Sequence, residues 1–142
     1  MQNYIFKVSL FDNPKVYREI EVPDNWSVYK FAESIISAFN FDFDHCFGFF
    51  SNISERGTFE SEKHYELFTD LEDVEPIGSG SVKKTKIKEV WTVKGDKMLF
   101  YLDYGDNWKW IAKLIDVNKI KYPKILKKVG RVLDNIIEAA FK

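Results

Sequence analysis

The residues best suited to acid–base chemistry are two aspartates in a short polar turn and one histidine in an aromatic segment. Asp103 and Asp106 belong to the segment DYGDNW, and His45 belongs to the segment FDFDHCFGFF. A histidine beside a carboxylate can transfer protons if the two groups lie within hydrogen-bond or one-water reach. One hypothesis is therefore a hydrolase-type enzyme that uses His45 with Asp103 or Asp106. The alternative is structural, because Asp and Gly are the residues that a tight hairpin turn requires and Trp108 would fill the end of the core.

Metal and thiol chemistry find little support in the residue types present. The sequence holds 1 Cys and 2 His, whereas a structural zinc site takes about four Cys or His ligands. His45 and Cys46 are neighbours, so their side chains would point to opposite faces of a strand and cannot form a dyad. Asp103 and Asp106 offer only the generic oxygen ligands of Mg²⁺ or Ca²⁺. We predict no metal and, since the phosphate-binding glycine motifs are absent, no cofactor.

Aromatic residues and a glycine around the same turn are candidates for binding. They are Tyr104, Gly105, Trp108 and Trp110. Aromatic rings on a sheet beside lysines, such as Lys97, Lys109 and Lys113, can stack single-stranded bases. The alternative is that these rings form the core, which the lack of RNA-recognition aromatic motifs favours.

Charge is unevenly distributed, although the formal net charge is only −1. Residues 55–75 are rich in Asp and Glu, and residues 119–131 are rich in Lys. One interpretation is two solvated faces that attract each other. The other is a basic surface that includes Lys124, Lys127 and Lys128, from which we predict a protein- or peptide-binding (adaptor) module. Nucleic-acid binding through 119–131 is a weaker alternative, because the chain as a whole is not basic.

Length and composition indicate a single domain over residues 1–142. The chain has 142 residues, of which 45% are hydrophobic and 17% aromatic, enough for a substantial core. A lone cysteine fits a reducing compartment, and the N-terminal residues resemble a strand rather than a signal peptide. No run approaches the roughly 20 apolar residues that span a bilayer. We therefore expect a cytoplasmic protein without membrane contact.

The elements that must position these residues begin with a hairpin and a helix. Apolar residues alternate along 4–10 and 16–22 on either side of a polar turn, which predicts two antiparallel strands. Ser27 is suited to cap a helix and Asn40 to end it. The apolar stripe of that helix comprises Val28, Phe31, Ala32, Ile35, Ile36 and Phe39. The aromatic run at 41–50 predicts a third strand, buried on at least one face.

The second half is predicted to hold another hairpin and another helix. Residues 51–86 carry several chain breakers and predict a long irregular loop, most mobile at 79–81. Residues 87–91 fit either a helix or a strand. Strands at 98–103 and 108–115 flank the polar turn, and an apolar stripe predicts a C-terminal helix at 129–141. The fold class is therefore α+β, with an antiparallel-rich mixed sheet and a β-β-α-β first half like that of ubiquitin (β-grasp).

Two segments resemble a known family. They are Arg18–Phe49 and Val93–Ile115, the latter followed by Tyr122-Pro123. Their hairpin, helix, histidine-bearing aromatic strand and final Asp-aromatic-Gly-Asp-x-Trp motif are similar to those of the plasmid pRiA4b ORF-3-like family. The segment DYGDNW is the most specific match. The resemblance implies the family's fold over these segments but no defined activity, because its members are largely uncharacterised.

The sequence departs from the family pattern where histidines are expected. His45 matches the first of two histidines, Phe47 stands at the second, and Trp110 stands where a further histidine is common. The basic run Lys124–Lys128 replaces an acidic, cysteine-bearing stretch. If relatives use these histidines for metal binding or catalysis, this chain lacks most of that set. The resemblance and the position of His45, Asp103 and Asp106 at strand ends motivate the enzyme hypothesis, whereas the incomplete catalytic set and the uneven charge motivate the binding module.

Overall fold

The computed structural model describes residues 2–41, 47–53, 63–66, 80–102, 108–118 and 124–129, the last range by its backbone alone. The strands are β1 Asn3–Leu10, β2 Tyr17–Pro23, β3 Phe47–Phe50, β4 His64–Glu66, β5 Gly80–Ser81, β6 Lys97–Leu102, β7 Trp108–Asn118 and β8 Lys124–Val129. The helices are α1 Val28–Ala38 and α2 Ile87–Val90. Neither helix of the described chain has the length and apolarity to cross a membrane.

β1 and β2 form the predicted antiparallel hairpin, which pairs along its whole length. Phe6 and Val8, two residues apart on β1, are both fully buried, as the period-two pattern of a strand with one core face requires. The hairpin is closed where the N–H of Leu10 donates to the carbonyl of Val16 at 3.0 Å.

α1 begins and ends at the residues that the sequence indicated. The hydroxyl of Ser27 accepts a hydrogen bond from the N–H of Lys30 at 3.1 Å, which satisfies a backbone donor of the first turn. Asn40 takes a φ of 60°, the left-handed conformation in which Asn commonly ends a helix. The predicted stripe from Val28 to Phe39 is buried against the sheet.

In the described part of the chain all eight strands form one sheet, in the order β5-β4-β3-β6-β7-β1-β2-β8. Neighbouring strands are antiparallel except for β4 and β5, which are parallel. This arrangement confirms the predicted α+β class with a mostly antiparallel sheet. The β-β-α-β order of the first half is also observed. Its ubiquitin-like detail is not confirmed, since β6 and β7 separate β3 from β1.

The main core lies between α1 and one face of the sheet, and Trp91 lies near its centre. The indole ring contacts Phe6, Phe31 and Phe49 at centroid distances of 5.0, 5.2 and 5.6 Å, each nearly edge to face. Such pairs contribute about 0.5–1.5 kcal/mol beyond their burial. The indole N–H donates to the carbonyl of Ala112 at 3.0 Å, so this buried polar atom is satisfied.

A smaller apolar cluster covers part of the opposite face. Its buried members are Phe50, Leu99 and Tyr101, with Phe11, Ile53 and Ile111 packed against them. The middle of the sheet therefore buries side chains on both faces, which explains why β6 reads as a nearly continuous apolar run.

The stretch from 51 to 86 contains more regular structure than we predicted. β4 and β5 fall within it, and Gly80–Ser81, at the point that we predicted to be most mobile, pairs with Tyr65–Glu66. These strands are two or three residues long, too short for a period to be visible in the sequence. Residues 87–91 fitted either a helix or a strand in the sequence, and the structure shows a helix there, α2.

β8 is a further difference from the sequence-based expectation. We predicted no strand in the basic run after Pro123, and we assigned Val129 to the C-terminal helix. Lys124–Val129 instead pairs antiparallel with β2. The rest of the predicted helix, residues 130–141, lies outside the described residues. This lysine-rich segment shows no alternation of apolar and polar residues, so the sequence does not predict a strand. It is recognised as a strand only because it pairs with the edge of β2.

Candidate functional site

The residues predicted for acid–base chemistry fall in segments that the structure does not describe. His45 lies outside the described residues, as do Asp103, Tyr104, Gly105 and Asp106. The described residues that flank the segments 42–46 and 103–107 are nevertheless neighbours in the sheet. Phe47 pairs with Leu102, and Leu102 pairs with Trp108. The end of β6, the start of β7 and the start of β3 therefore lie at the same end of these three adjacent strands. Segment 103–107 connects β6 to β7 there, and segment 42–46 leads into β3.

Three aromatic side chains pack together at this end of the sheet. Phe41 lies edge to face with Trp108 at 4.9 Å and with Trp110 at 5.4 Å, and the two indoles stack at 6.2 Å. Trp110 is fully buried, and it also packs on Phe39 and Phe100. Of the two predicted binding tryptophans, Trp110 is thus a core residue and only Trp108 remains partly exposed.

The indole N–H groups of both tryptophans are buried without a hydrogen-bond acceptor among the described residues. Neither atom is reachable by solvent in this conformation. The cluster therefore accounts for the packing of the described residues at this end of the sheet.

His64, which sequence reasoning left in the loop, lies on β4 beside a buried carboxylate. Its Nδ1 is 3.6 Å from Oε2 of Glu66, whose side chain is 5% exposed. The imidazole ring is parallel to the ring of Phe50 at 6.3 Å. A histidine held near a carboxylate can act in proton transfer. Among the described residues, no three Cys, His, Asp or Glu side chains come together in a group that could hold a metal ion.

Arg18 is the buried cation next to the basic edge of the sheet. Its Nε donates to the carbonyl of Ala38 at 3.2 Å and its Nη1 to the carbonyl of Tyr17 at 2.9 Å. The guanidinium also lies 4.9 Å from the ring centre of Phe39. Burial lowers the pKa of Arg18 from its usual value. The cation binds a carbonyl of the last turn of α1, where the helix dipole favours positive charge, so its role is to hold α1 on the hairpin.

The predicted binding lysines Lys124, Lys127 and Lys128 all lie on β8, the last strand in the sheet order. In the register with β2, Lys127 is opposite Glu19 and Lys124 is opposite Glu21. Lys128 is opposite Arg18 instead. Opposite charges on facing strands stabilise a sheet and like charges do not. Two of the three lysines therefore have a carboxylate as cross-strand neighbour, and Lys128 has a cation.

Sequence reasoning named these lysines but missed the strand that carries them. The sequence signal for a strand was weak, because only two of the six residues of Lys124–Val129, Ile125 and Val129, are β-branched. A register shift between Glu19 and Ile20 further disturbs the alternation along the pair. The unsatisfied edge of β2, which the sequence does not display, is what selects this run as a strand.

The comparison with protein families identifies the chain. Residues 2–134 match the family model described as plasmid pRiA4b ORF-3-like protein. The chain belongs to this family. Membership confirms the resemblance carried by the two sequence segments and extends it across the region between them.

A solved structure supports the fold of this pRiA4b ORF-3-like chain. The chain is similar to a protein of unknown function, MM3350 from Methanosarcina mazei Go1, with a TM-score of 0.71 and 20% sequence identity. The likeness covers 93% of this chain and 71% of that one. At such identity it shows the shared fold alone. A search of the curated proteins finds no match.

Proposed function

We propose that this chain is a protein- or peptide-binding module that binds an extended acidic segment along β8. The observation that supports the proposal is the place of β8 at the end of the sheet order. An edge strand presents a row of backbone N–H and C=O groups on one side, and an added strand satisfies them. Backbone hydrogen bonds would supply affinity, and the lysines of β8 would select an acidic partner.

The register favours one of the three lysines as the main contact of an acidic partner. Lys124 and Lys127 are opposite Glu21 and Glu19 in the register, so each has an acidic residue at the facing position of β2. Lys128 is opposite Arg18 in the register, so a carboxylate on an added strand would bring an opposite charge to that position. Lys128 is therefore the position at which an acidic partner gains most.

A binding experiment with a single charge reversal tests the proposal. A labelled peptide of alternating Val and Glu is titrated with the protein and followed by fluorescence anisotropy. We expect Lys128→Glu to weaken binding by roughly tenfold, equivalent to about 1.4 kcal/mol. Lys84→Glu is the matched control, because Lys84 is exposed and follows β5, at the other end of the sheet order. Equal binding by the wild type and the Lys128 variant would contradict the proposal.

The backbone requirement is tested separately with a chemically altered peptide. Methylation of alternate backbone nitrogens removes the donors that strand pairing needs but keeps the carboxylates. We expect the methylated peptide to lose binding to the wild type. Undiminished binding would show simple charge attraction rather than strand addition. Reversal of all three lysines is a poorer test, because Glu at 124 and 127 would oppose Glu21 and Glu19 and weaken the sheet itself.

A hydrolase-type enzyme that uses His45 with Asp103 or Asp106 is the second candidate. The pairing of Phe47 with Leu102 favours it, since His45 is two residues before Phe47 and Asp103 directly follows Leu102. Successive Cα atoms are about 3.8 Å apart, so we expect both residues near one end of the sheet. A broad esterase and phosphatase screen in which His45→Ala and Asp103→Asn abolish an activity would support it. The third candidate, nucleic-acid binding through 119–131, has no specific observation in its favour.

Two finer expectations belong with these proposals. The first is that the initial β-β-α-β segment is related to the ubiquitin-like arrangement, which its order of elements supports. The second is a cytoplasmic location, which the 1 Cys of the chain supports.

A further inference from the structure

A row of lysines crosses the sheet on the face opposite α1. Lys97 of β6 pairs with Lys113 of β7, and Lys113 pairs with Lys7 of β1. Directly paired residues of antiparallel strands point to the same face. We call Lys7, Lys97 and Lys113 the lysine row. These residues are far apart in the sequence, and only the strand order brings them together.

The lysine row is accessible and lacks counter-ions in the described chain. Lys97 and Lys113 are exposed, and Lys7 is partly exposed with its Nζ 4.4 Å from the ring centre of Tyr17. Among the described residues the ion pairs are His64–Glu66 and Lys94–Asp116, and neither includes a lysine of the row. Glu19 continues the row beyond Lys7 in register, and it is the one acidic residue at these facing positions of β6, β7, β1 and β2.

Like charges directly opposite each other on neighbouring strands destabilise a sheet. The row contains two such pairs, Lys97–Lys113 and Lys113–Lys7, in a chain whose net charge is −1. Folding alone gains nothing from this arrangement. A bound polyanion would convert the repulsion into attraction.

We propose that the lysine row binds the phosphate backbone of a nucleic acid, independently of its sequence. The row runs across the strands, so its partner lies over the sheet and cannot be the strand added along β8. Protein interfaces are depleted of lysine and bury an apolar centre, whereas nucleic-acid interfaces are strongly positive. Lysine is a point charge without the fork geometry of arginine, which suits backbone contact without base recognition. None of the three lysines belongs to β8, so this surface is separate from the proposed peptide edge.

Salt dependence provides a quantitative test. Duplex binding by Z phosphate contacts changes with salt with a logarithmic slope of about −0.9Z. For three contacts, affinity for a short labelled DNA duplex should fall about 40-fold between 50 and 200 mM salt. For Lys97→Gln/Lys113→Gln, which leaves one contact, the fall should be only about 3- to 4-fold. A labelled single strand distinguishes the two forms of the backbone, since its slope is smaller at about −0.7Z.

Matched variants distinguish a specific effect of the lysine row on binding from effects of net charge and of misfolding. Lys84→Gln/Lys88→Gln changes the net charge equally at exposed sites outside the row and should keep the wild-type slope. Lys97→Arg/Lys113→Arg keeps both charges and should keep binding. The Gln variant should melt at the wild-type temperature or above it, because repulsion is removed.

Several results would overturn the proposal. They are an absence of duplex and single-strand binding by the wild type, an unchanged slope in the Gln variant, an equal loss in the Lys84/Lys88 control, and a loss in the Arg variant. Polyglutamate is the remaining probe. If it binds with the same dependence on the row and DNA does not, the partner of this face is an acidic protein instead.

Discussion

At the scale of single residues, the best-defined polar arrangement is the turn that precedes β6. Oδ2 of Asp96 accepts hydrogen bonds from the N–H of Thr92 at 2.8 Å, the N–H of Val93 at 3.1 Å and the hydroxyl of Thr92 at 3.1 Å. Gly95 takes a φ of 96°, a conformation that side chains with a Cβ rarely adopt. Burial by itself raises the pKa of Asp96, but these hydrogen bonds and the nearby Lys63 outweigh it and lower the pKa below its usual value.

The lowered pKa of Asp96 predicts a pH-dependent contribution to stability. A carboxylate whose pKa is lower in the folded state stabilises the fold above the unfolded-state pKa of about 3.9, and the contribution disappears as pH falls through the folded-state pKa. We expect Asp96→Asn to lower the free energy of unfolding by about 1 kcal/mol at pH 7. The difference from the wild type should shrink below about pH 4.

Urea denaturation at several pH values measures this difference. Glu33→Gln is the control, because Glu33 is exposed on α1 and none of the hydrogen bonds among the described residues involves its carboxylate. A stability difference for Asp96→Asn that stays constant from pH 7 to pH 3 would show that the loss is steric rather than ionic.

At the scale of elements, α1 is specified locally at both ends and by its buried stripe. The Ser27 cap and the left-handed Asn40 agree with the apolar spacing between them. β8 is the opposite case, because its residues show no strand pattern and its existence depends on the edge of β2. Elements of the first kind are predictable from sequence, and those of the second kind are not.

The cap of α1 allows a direct test at this scale. Ser27→Ala removes the acceptor of the Lys30 N–H and should cost about 1 kcal/mol of stability. Ser37→Ala is the control, since Ser37 is exposed in the last turn and Ala is the better helix former. Thermal unfolding followed by circular dichroism compares the two variants, and equal melting temperatures would contradict the capping role.

At the scale of the whole molecule, the sheet joins two apolar clusters on its opposite faces. The main core packs under α1, and Phe50, Leu99 and Tyr101 form the smaller cluster. β6 contributes to both, with Phe100 in the first and Leu99 in the second. Because one strand serves both clusters, we expect them to unfold together.

A core truncation in the smaller cluster tests this cooperativity. Leu99 is fully buried, and Leu99→Ala should lower the free energy of unfolding by about 2–5 kcal/mol. Tryptophan fluorescence reports mainly on the larger core and circular dichroism on the whole sheet. Both probes should give one shared transition, shifted to lower denaturant. Separate transitions for the two probes would show that the smaller cluster unfolds independently.

How much could be predicted from the sequence differs between the site and the fold. The alternating residues of β1 and β2 and the apolar stripe of α1 made these elements predictable from the sequence. Two segments, of which DYGDNW is the most specific part, indicated the family that the match over residues 2–134 confirms. The roles of His45, Asp103 and Asp106 stay predictions. Trp110 is a different case, since the sequence left open whether this aromatic residue binds a partner or belongs to the core, and its complete burial places it in the core.

The sequence by itself determined the hairpin, the capped helix, the α+β class and the family, because each depends on contacts between residues close in the chain or on a local motif. The tertiary structure decided the strand order, the edge position of β8 and the meeting of Lys7, Lys97 and Lys113. Those features join residues as far apart as 7 and 113. Pairing between distant strands depends on which strand edges still have unpaired backbone N–H and C=O groups after the local elements form. The local sequence pattern does not contain that information.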